Sequence, residues 1–154
     1  MEHYYTLADI VRISAAKRRS IQLWAEAGVI RAFTSTERKG TGTHRRFKRD
    51  EIIIACIINV FSMRQVAIGE LERLATGLRR FLNWGRNRDR IEGAVSGFEP
   101  SYLIINWPAD RMPGVDFCEL DTIENTLYHR PERQFEVSII LSLNWCLSRL
   151  EELE

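Results

Sequence analysis

The chain opens with two short segments in which apolar residues recur at the spacing of one helical face. Thr6-Leu7-Ala8-Asp9 has the form of a capping box, in which a hydroxyl and a carboxylate cap the first turn of a helix. A second pattern runs over residues 15–27, where Ile21 and Trp24 lie on the inner stripe and Gly28 stands at the favoured terminating position. These features predict two short helices joined by a turn of about three or four residues.

The helical period is lost between residues 31 and 47, where turn-forming residues cluster. Gly40-Thr41-Gly42 stands between two basic stretches, and this arrangement predicts a β-hairpin, or wing. Ile52 to Phe61 is apolar on almost all sides and predicts a core helix, which Asp50 is placed to cap. Its β-branched residues also suit a buried strand. Leucines at spacings of three and four predict a fourth, amphipathic helix over 68–82.

The pattern changes again after residue 82. Residues 83–97 combine scattered glycines and charges with no apolar period, which is typical of a linker. Short apolar runs predict strands at 102–107 and 115–120, and strict alternation from Phe135 to Leu143 predicts a third strand. Leucine spacing from Asn144 onward predicts a terminal helix with an acidic tail.

These elements indicate a mostly α fold with a small β component. We expect an N-terminal helical unit over residues 1–82, a linker over 83–97 and a small acidic α+β unit over 98–154.

The net charge of +1 hides an uneven distribution of charge. Residues 1–90 carry 18 lysines and arginines against 9 acidic residues, a net charge of +9, whereas residues 91–154 carry 4 against 12, a net charge of −8. A basic segment is what a polyanion partner requires, because neutralised phosphates release condensed counterions. A merely solvated surface is the alternative, but the difference of 17 charges between adjacent segments favours nucleic acid.

Other classes of site find little support in the sequence. Cys56, Cys118 and Cys146 lie far apart and match no metal-ligand spacing, so we expect apolar core thiols in a reducing compartment and no metal site. Gly40 and Gly42 lack the lysine and hydroxyl that complete a phosphate-binding loop, and no histidine has an identifiable catalytic partner. We therefore expect neither an enzyme nor a cofactor.

The N-terminus lacks the basic and apolar regions of a signal peptide. The longest apolar run, Ile52 to Ile58, is too short to span a bilayer. We expect a cytoplasmic protein with no membrane partner.

Several positions in the first half of the chain form a recognisable pattern: Tyr5, Leu7 and Ile10; Arg19-Ser20-Ile21 and Trp24; Gly28-Val29-Ile30; and His44-Arg45-Arg46-Phe47 followed by Asp50. By these residues, this half of the chain resembles the MerR-type winged-helix family of transcriptional regulators. The resemblance implies a winged helix-turn-helix whose second helix reads the major groove of DNA.

The chain departs from the family pattern at several points. Ala15 and Lys17 stand where the family often has glycine and serine, so the usual helix cap is lost, and Gln22 replaces a common arginine. Asn83 and Gly85 interrupt the long helix through which the family dimerises. No cysteine lies near that helix, which counts against mercury or zinc sensing.

Residues at the start of the second predicted helix supply the chemistry for reading DNA. Arg18 and Arg19 can grip guanine O6 and N7 through two hydrogen bonds, Gln22 can pair with adenine, and Lys17 suits a phosphate. The wing adds a second group that flanks the minor groove or the backbone: Arg38, Lys39, His44, Arg45 and Arg46. An internal salt bridge is the alternative for Arg46, and a solvated helix face is the alternative for the cations of the helix.

Together these features predict a bacterial, nucleoid-associated transcriptional regulator that binds double-stranded DNA sequence-specifically. One winged helix makes few base contacts, so we expect a homodimer formed through residues 98–154. The same unit is the expected site for an effector of unidentified chemistry. Two alternatives stay open: an excisionase-like architectural DNA-binding protein, and a protein-interaction module that does not bind DNA.

Overall fold

The computed structural model of the chain describes residues 3–33, 44–96, 101–108, 111–119, 121 and 137–153. Over these residues the structure is mostly helical with two small antiparallel sheets, which confirms the mostly α fold class with a small β component. The elements in chain order are β1 (Tyr5–Thr6), α1 (Leu7–Ser14), α2 (Arg18–Glu26), β2 (Arg46–Phe47), α3 (Arg49–Ser62), α4 (Ile68–Leu82), α5 (Gly85–Val95), β3 (Tyr102–Trp107), β4 (Gly114–Cys118), β5 (Val137–Ser142), α6 (Leu143–Cys146) and a C-terminal 3₁₀ helix (Leu150–Leu153).

The chain divides into two compact units. Unit 1 comprises Met1–Ala75 together with Arg149–Glu154, and unit 2 comprises Thr76–Ser148. The division falls inside α4, and the last six residues belong with the N-terminal unit, whereas the sequence had suggested that they belong with the acidic unit at 98–154.

The predicted capping box at the start of α1 is confirmed. The carboxylate of Asp9 accepts hydrogen bonds from the Thr6 N–H and the Thr6 hydroxyl, both at 2.8 Å, and the Thr6 hydroxyl oxygen accepts one from the Asp9 N–H at 3.3 Å. Ile10 and Ile13 are buried on the inner face of this helix. Local sequence therefore fixes where the first helix begins.

Replacing Asp9 by asparagine is expected to destabilise unit 1 by about 1 kcal/mol at neutral pH. The hydrogen bond from the Thr6 N–H lowers the pKa of Asp9 below its ordinary value of 3.8, and the Thr6 hydroxyl and Arg12 lower it further. Because the folded pKa is depressed, the carboxylate stabilises the fold above the unfolded pKa, and this contribution is lost as pH falls through the folded pKa. Urea unfolding at several pH values measures the difference.

The wild-type chain and the Asp9→Asn variant should therefore converge in stability in acid. Asp89→Asn, which alters an exposed carboxylate on α5, is the matched control and should leave the free energy of unfolding unchanged. A constant difference between wild type and Asp9→Asn down to acid pH would contradict a role for the charge of the carboxylate.

A three-residue connection between α1 and α2 is held against α3. Ala15 has a φ of 56°, a left-handed conformation that glycine adopts most easily. The Asn59 side-chain amide donates to the Ser14 carbonyl at 2.9 Å, and the Ser14 hydroxyl donates to the Ile10 carbonyl at 2.6 Å. The turn length agrees with the sequence prediction, and the turn is fixed by hydrogen bonds to its neighbours.

The helix α3 forms the centre of unit 1. Ile52, Ile53, Ile54, Ile57 and Ile58 are fully buried, which confirms the prediction of a core helix over the alternative of a strand. The prediction that Asp50 caps this helix was wrong, because the helix begins at Arg49 and the capping position is occupied by Lys48, whose side chain makes no capping bond. Asp50 lies in the first turn instead, where its charge favours the positive end of the helix dipole.

The predicted wing is described only at its base. β2 pairs antiparallel with β1, with Tyr5 opposite Phe47 and Thr6 opposite Arg46, and the Phe33 N–H donates to the Arg46 carbonyl at 2.7 Å. Residues 34–43, which include the predicted turn, lie outside the described residues. The two ends of the segment are thus joined by a backbone hydrogen bond.

A helix occupies most of the stretch that the sequence indicated as a linker. α5 spans Gly85–Val95, and Ile91 and Ala94, three residues apart on one face, are buried. This difference arises because two apolar residues give no helical period in the sequence, whereas tertiary contacts hold the helix: the Asn87 amide donates to the Phe81 carbonyl at 2.9 Å, and the Arg90 guanidinium lies 4.2 Å from the centre of the Phe117 ring. α4, by contrast, has the bounds predicted from its leucine spacing.

Unit 2 contains a sheet in the order β4-β3-β5. The central strand β3 has the predicted bounds, 102–107, and Leu103 to Asn106 are buried. β4 is shifted slightly from the predicted 115–120, and within the predicted alternating run β5 covers Val137–Ser142. β5 lies at one edge of the sheet.

The predicted terminal helix is divided into two pieces. Ser142 caps the four-residue α6 by accepting from the Trp145 N–H at 3.4 Å, and a separate 3₁₀ helix follows at Leu150–Leu153. Leu147, in unit 2, and Leu150, in unit 1, are both buried. The leucine spacing predicted burial correctly, but a continuous helix would have placed both leucines on one face.

Candidate nucleic-acid interface

The four residues predicted to contact DNA from α2 are all exposed at the start or on the outer side of that helix. They are Lys17, Arg18, Arg19 and Gln22. On the opposite side Ile21 and Trp24 are 0% and 2% exposed, so they anchor the helix in the core of unit 1. The helical period therefore holds the polar side chains outward on a rigid support.

The cations of this surface are available to an anionic partner. Among the described residues, none of the ion pairs involves Lys17, Arg18 or Arg19. Lys17 occupies the N-cap position without a side-chain capping bond. This is expected, because lysine stands here in place of the serine that the family often has. The Lys17 side chain therefore leaves the first-turn N–H groups uncapped, beside three exposed cations, and this combination suits a phosphate oxygen.

The second predicted group is described in part. Arg38 and Lys39 lie outside the described residues. His44 and Arg46 are exposed and Arg45 is half-buried at the base of the wing, and Arg46 is part of β2. Arg46 has interactions of its own within the fold.

A cleft of about 420 Å³ brings Arg45 close to the C-terminal end of α2. Its lining includes Glu26 and Gly28 from the end of the helix, and Arg31 and Arg45 from the two sides of the wing base. The guanidinium of Arg31 lies 3.8 Å from the carboxylate of Glu72. The segment that carries Arg45 and the C-terminal end of α2 are therefore neighbours within unit 1, whereas the predicted DNA contacts of α2 lie towards its N-terminal end.

The sequence reasoning missed two residues of this region. Glu51 is buried, and its carboxylate accepts a hydrogen bond from the Arg31 N–H at 2.8 Å, which ties the start of the wing segment to α3. No local pattern identifies Glu51 as a buried residue. It stands just before an apolar run, where an ordinary acidic residue of a first helical turn would also stand. Leu23 is 53% exposed on the outer face of α2, and its helical phase, opposite Ile21, was a signal that could have revealed it.

The described part of the chain gives little support for a metal site or a membrane-spanning helix. Within it, no group of three histidine, cysteine or acidic side chains is arranged to hold a metal ion. Cys56 and Cys118 are buried and Cys146 is half-buried. None of the described helices combines the length and the apolar character needed to cross a membrane.

Comparison with known proteins adds no family assignment. No protein-family model matches the chain, and no curated protein gives a significant match to it. The likeness to the MerR-type family therefore stays a prediction from the residues that carry it.

Proposed function

We propose that the protein is a sequence-specific DNA-binding transcriptional regulator with a winged helix-turn-helix in unit 1. The observation that carries the proposal is the outer surface of α2, where Lys17, Arg18, Arg19 and Gln22 stand exposed on a helix anchored by Trp24. A helix held in this way fits the major groove, where arginine and glutamine recognise guanine and adenine edges. Lys17 contacts a phosphate at the start of the helix.

The wing base supports the same proposal. His44, Arg45 and Arg46 come from the strand that pairs with β1 or directly precede it, and Arg45 shares a cleft with the end of α2. In the proposal these residues, with Arg38 and Lys39, contact the backbone or the minor groove beside the bases read by α2. The net charge of +9 over residues 1–90 supplies the long-range attraction.

The proposed assembly is a homodimer formed through the C-terminal region at 98–154. The edge strand β5 supports it, because Val137 and Ile140 are exposed apolar residues on a strand that, among the described residues, pairs with β3 alone. A two-fold dimer doubles the number of base contacts and matches a palindromic site. In this proposal the protein acts on bacterial DNA in the cytoplasm, and an effector would bind the same C-terminal region.

Selection of duplexes from a random pool tests the proposal. The wild-type chain should enrich one sequence, and its affinity for that duplex should fall with salt by a log–log slope of about −0.9 per phosphate contacted. A protein-interaction module would bind all duplexes weakly and enrich none. An excisionase-like protein would bend the enriched duplex strongly and leave transcription from a linked promoter unchanged.

A further inference from the structure

Leu23 lies on the outer face of α2, where solvent exposure of a large apolar side chain is unfavourable. It is 53% exposed, it follows Arg19 by one helical turn, and it adjoins Gln22 in the sequence. The helix cannot rotate to bury Leu23 without exposing Trp24, which is 2% exposed. Leu23 is therefore held among the side chains proposed to read bases.

The chemistry of leucine limits what it can recognise in a major groove. Its side chain has no donor for a phosphate oxygen, and against a base donor or acceptor it removes water without replacing the hydrogen bond. The apolar group that the base edges present in the major groove is the C5 methyl of thymine. A leucine at this position can therefore favour thymine over the other bases.

We propose that Leu23 selects a thymine in the DNA site by packing against its C5 methyl group. The inference rests on the proposed function, because it requires α2 to lie in the major groove. One turn of helix separates Arg19 from Leu23 by about 6 Å along the axis, and successive bases of a strand are about 3.4 Å apart. The thymine thus lies within about two base pairs of the base that Arg19 contacts.

The test replaces each thymine of the selected duplex, one at a time, by deoxyuridine, which lacks the methyl group. The wild-type chain should lose about fourfold in affinity at one thymine of each half-site, as expected for one buried carbon group. Leu23→Ala should bind the thymine and uracil duplexes equally well at that position. Met63→Ala, which shortens another exposed apolar side chain outside α2, is the matched control, and it should keep both the affinity and the methyl sensitivity of the wild type.

The possible results separate this inference from the proposed function. Circular dichroism should show that Leu23→Ala folds as the wild type does, because the side chain is exposed. If the wild type binds the selected duplex specifically but every uracil substitution is neutral, or if Leu23→Ala keeps the wild-type sensitivity, the inference is overturned and the proposed function stands. A chain that enriches no sequence overturns both.

Discussion

Replacing Leu150 by alanine is expected to lower the free energy of unfolding of unit 1 by about 2–5 kcal/mol. Leu150 is 0% exposed and begins the C-terminal 3₁₀ helix, which contacts α1. Removal of its side chain leaves a cavity that the surrounding helices can fill only in part. Hydrogen–deuterium exchange should show faster exchange in α1, which locates the loss of stability.

Leu147→Ala provides a matched control for this prediction. Leu147 is 1% exposed and three residues away, but it belongs to unit 2. Its replacement should accelerate exchange in the sheet and in α6 rather than in α1. If both variants changed the same amides, the assignment of the C-terminal segment to unit 1 would be contradicted.

Replacing Arg19 by alanine is expected to weaken binding to the selected duplex by about 1–3 kcal/mol, the range for one bidentate contact to guanine. Arg19 is exposed on the outer face of α2, opposite the buried Ile21, so its removal should leave the fold intact. Affinity for a scrambled duplex should fall much less, because only a base contact carries sequence information. Fluorescence anisotropy with both duplexes gives the two affinities.

Two further variants distinguish charge from geometry at this position. Arg19→Lys keeps the charge but not the planar fork, so it should bind the scrambled duplex normally and still lose preference for the selected one. Arg80→Ala removes another exposed cation, from α4, and should change neither affinity. Equal losses on the two duplexes for Arg19→Ala would reassign Arg19 to a phosphate contact.

Where the local sequence signals are strong, they predicted most of the helices and strands. The Thr6–Asp9 capping box gave the start of α1, the leucine spacing gave both ends of α4, and Gly28, with a φ of 78°, ends α2 as expected. Each of these signals acts within one turn or one face of a single element. Their physical causes are therefore readable without knowledge of the tertiary structure.

Features that depend on tertiary contacts were not predictable in the same way. α5 has two buried apolar residues, Ile91 and Ala94, too few to give a helical period, and it is also held by the hydrogen bond from the Asn144 amide to the Ala94 carbonyl. Leu150 is buried in unit 1 although it is far from the other residues of that unit in sequence. Its leucine spacing predicts burial but does not specify a partner.

The candidate site shows the same division between features set by local sequence and features set by tertiary contacts. Helical phase was enough to predict that Arg18, Arg19 and Gln22 point outward, because Ile21 and Trp24 mark the inner side. The cleft that Arg45 shares with the end of α2 joins residues about twenty positions apart in the sequence, which no local pattern shows.

The most direct test of the central claim, that α2 reads bases in the major groove, uses guanine analogues. Each guanine of the selected duplex is replaced by 7-deazaguanine, which lacks the N7 acceptor in that groove. The wild-type chain should lose about 1 kcal/mol at one guanine of each half-site, and Arg19→Ala should show no loss at that guanine. Wild-type affinity that is unchanged by every guanine replacement would contradict the claim, as would an equal loss in Arg19→Ala.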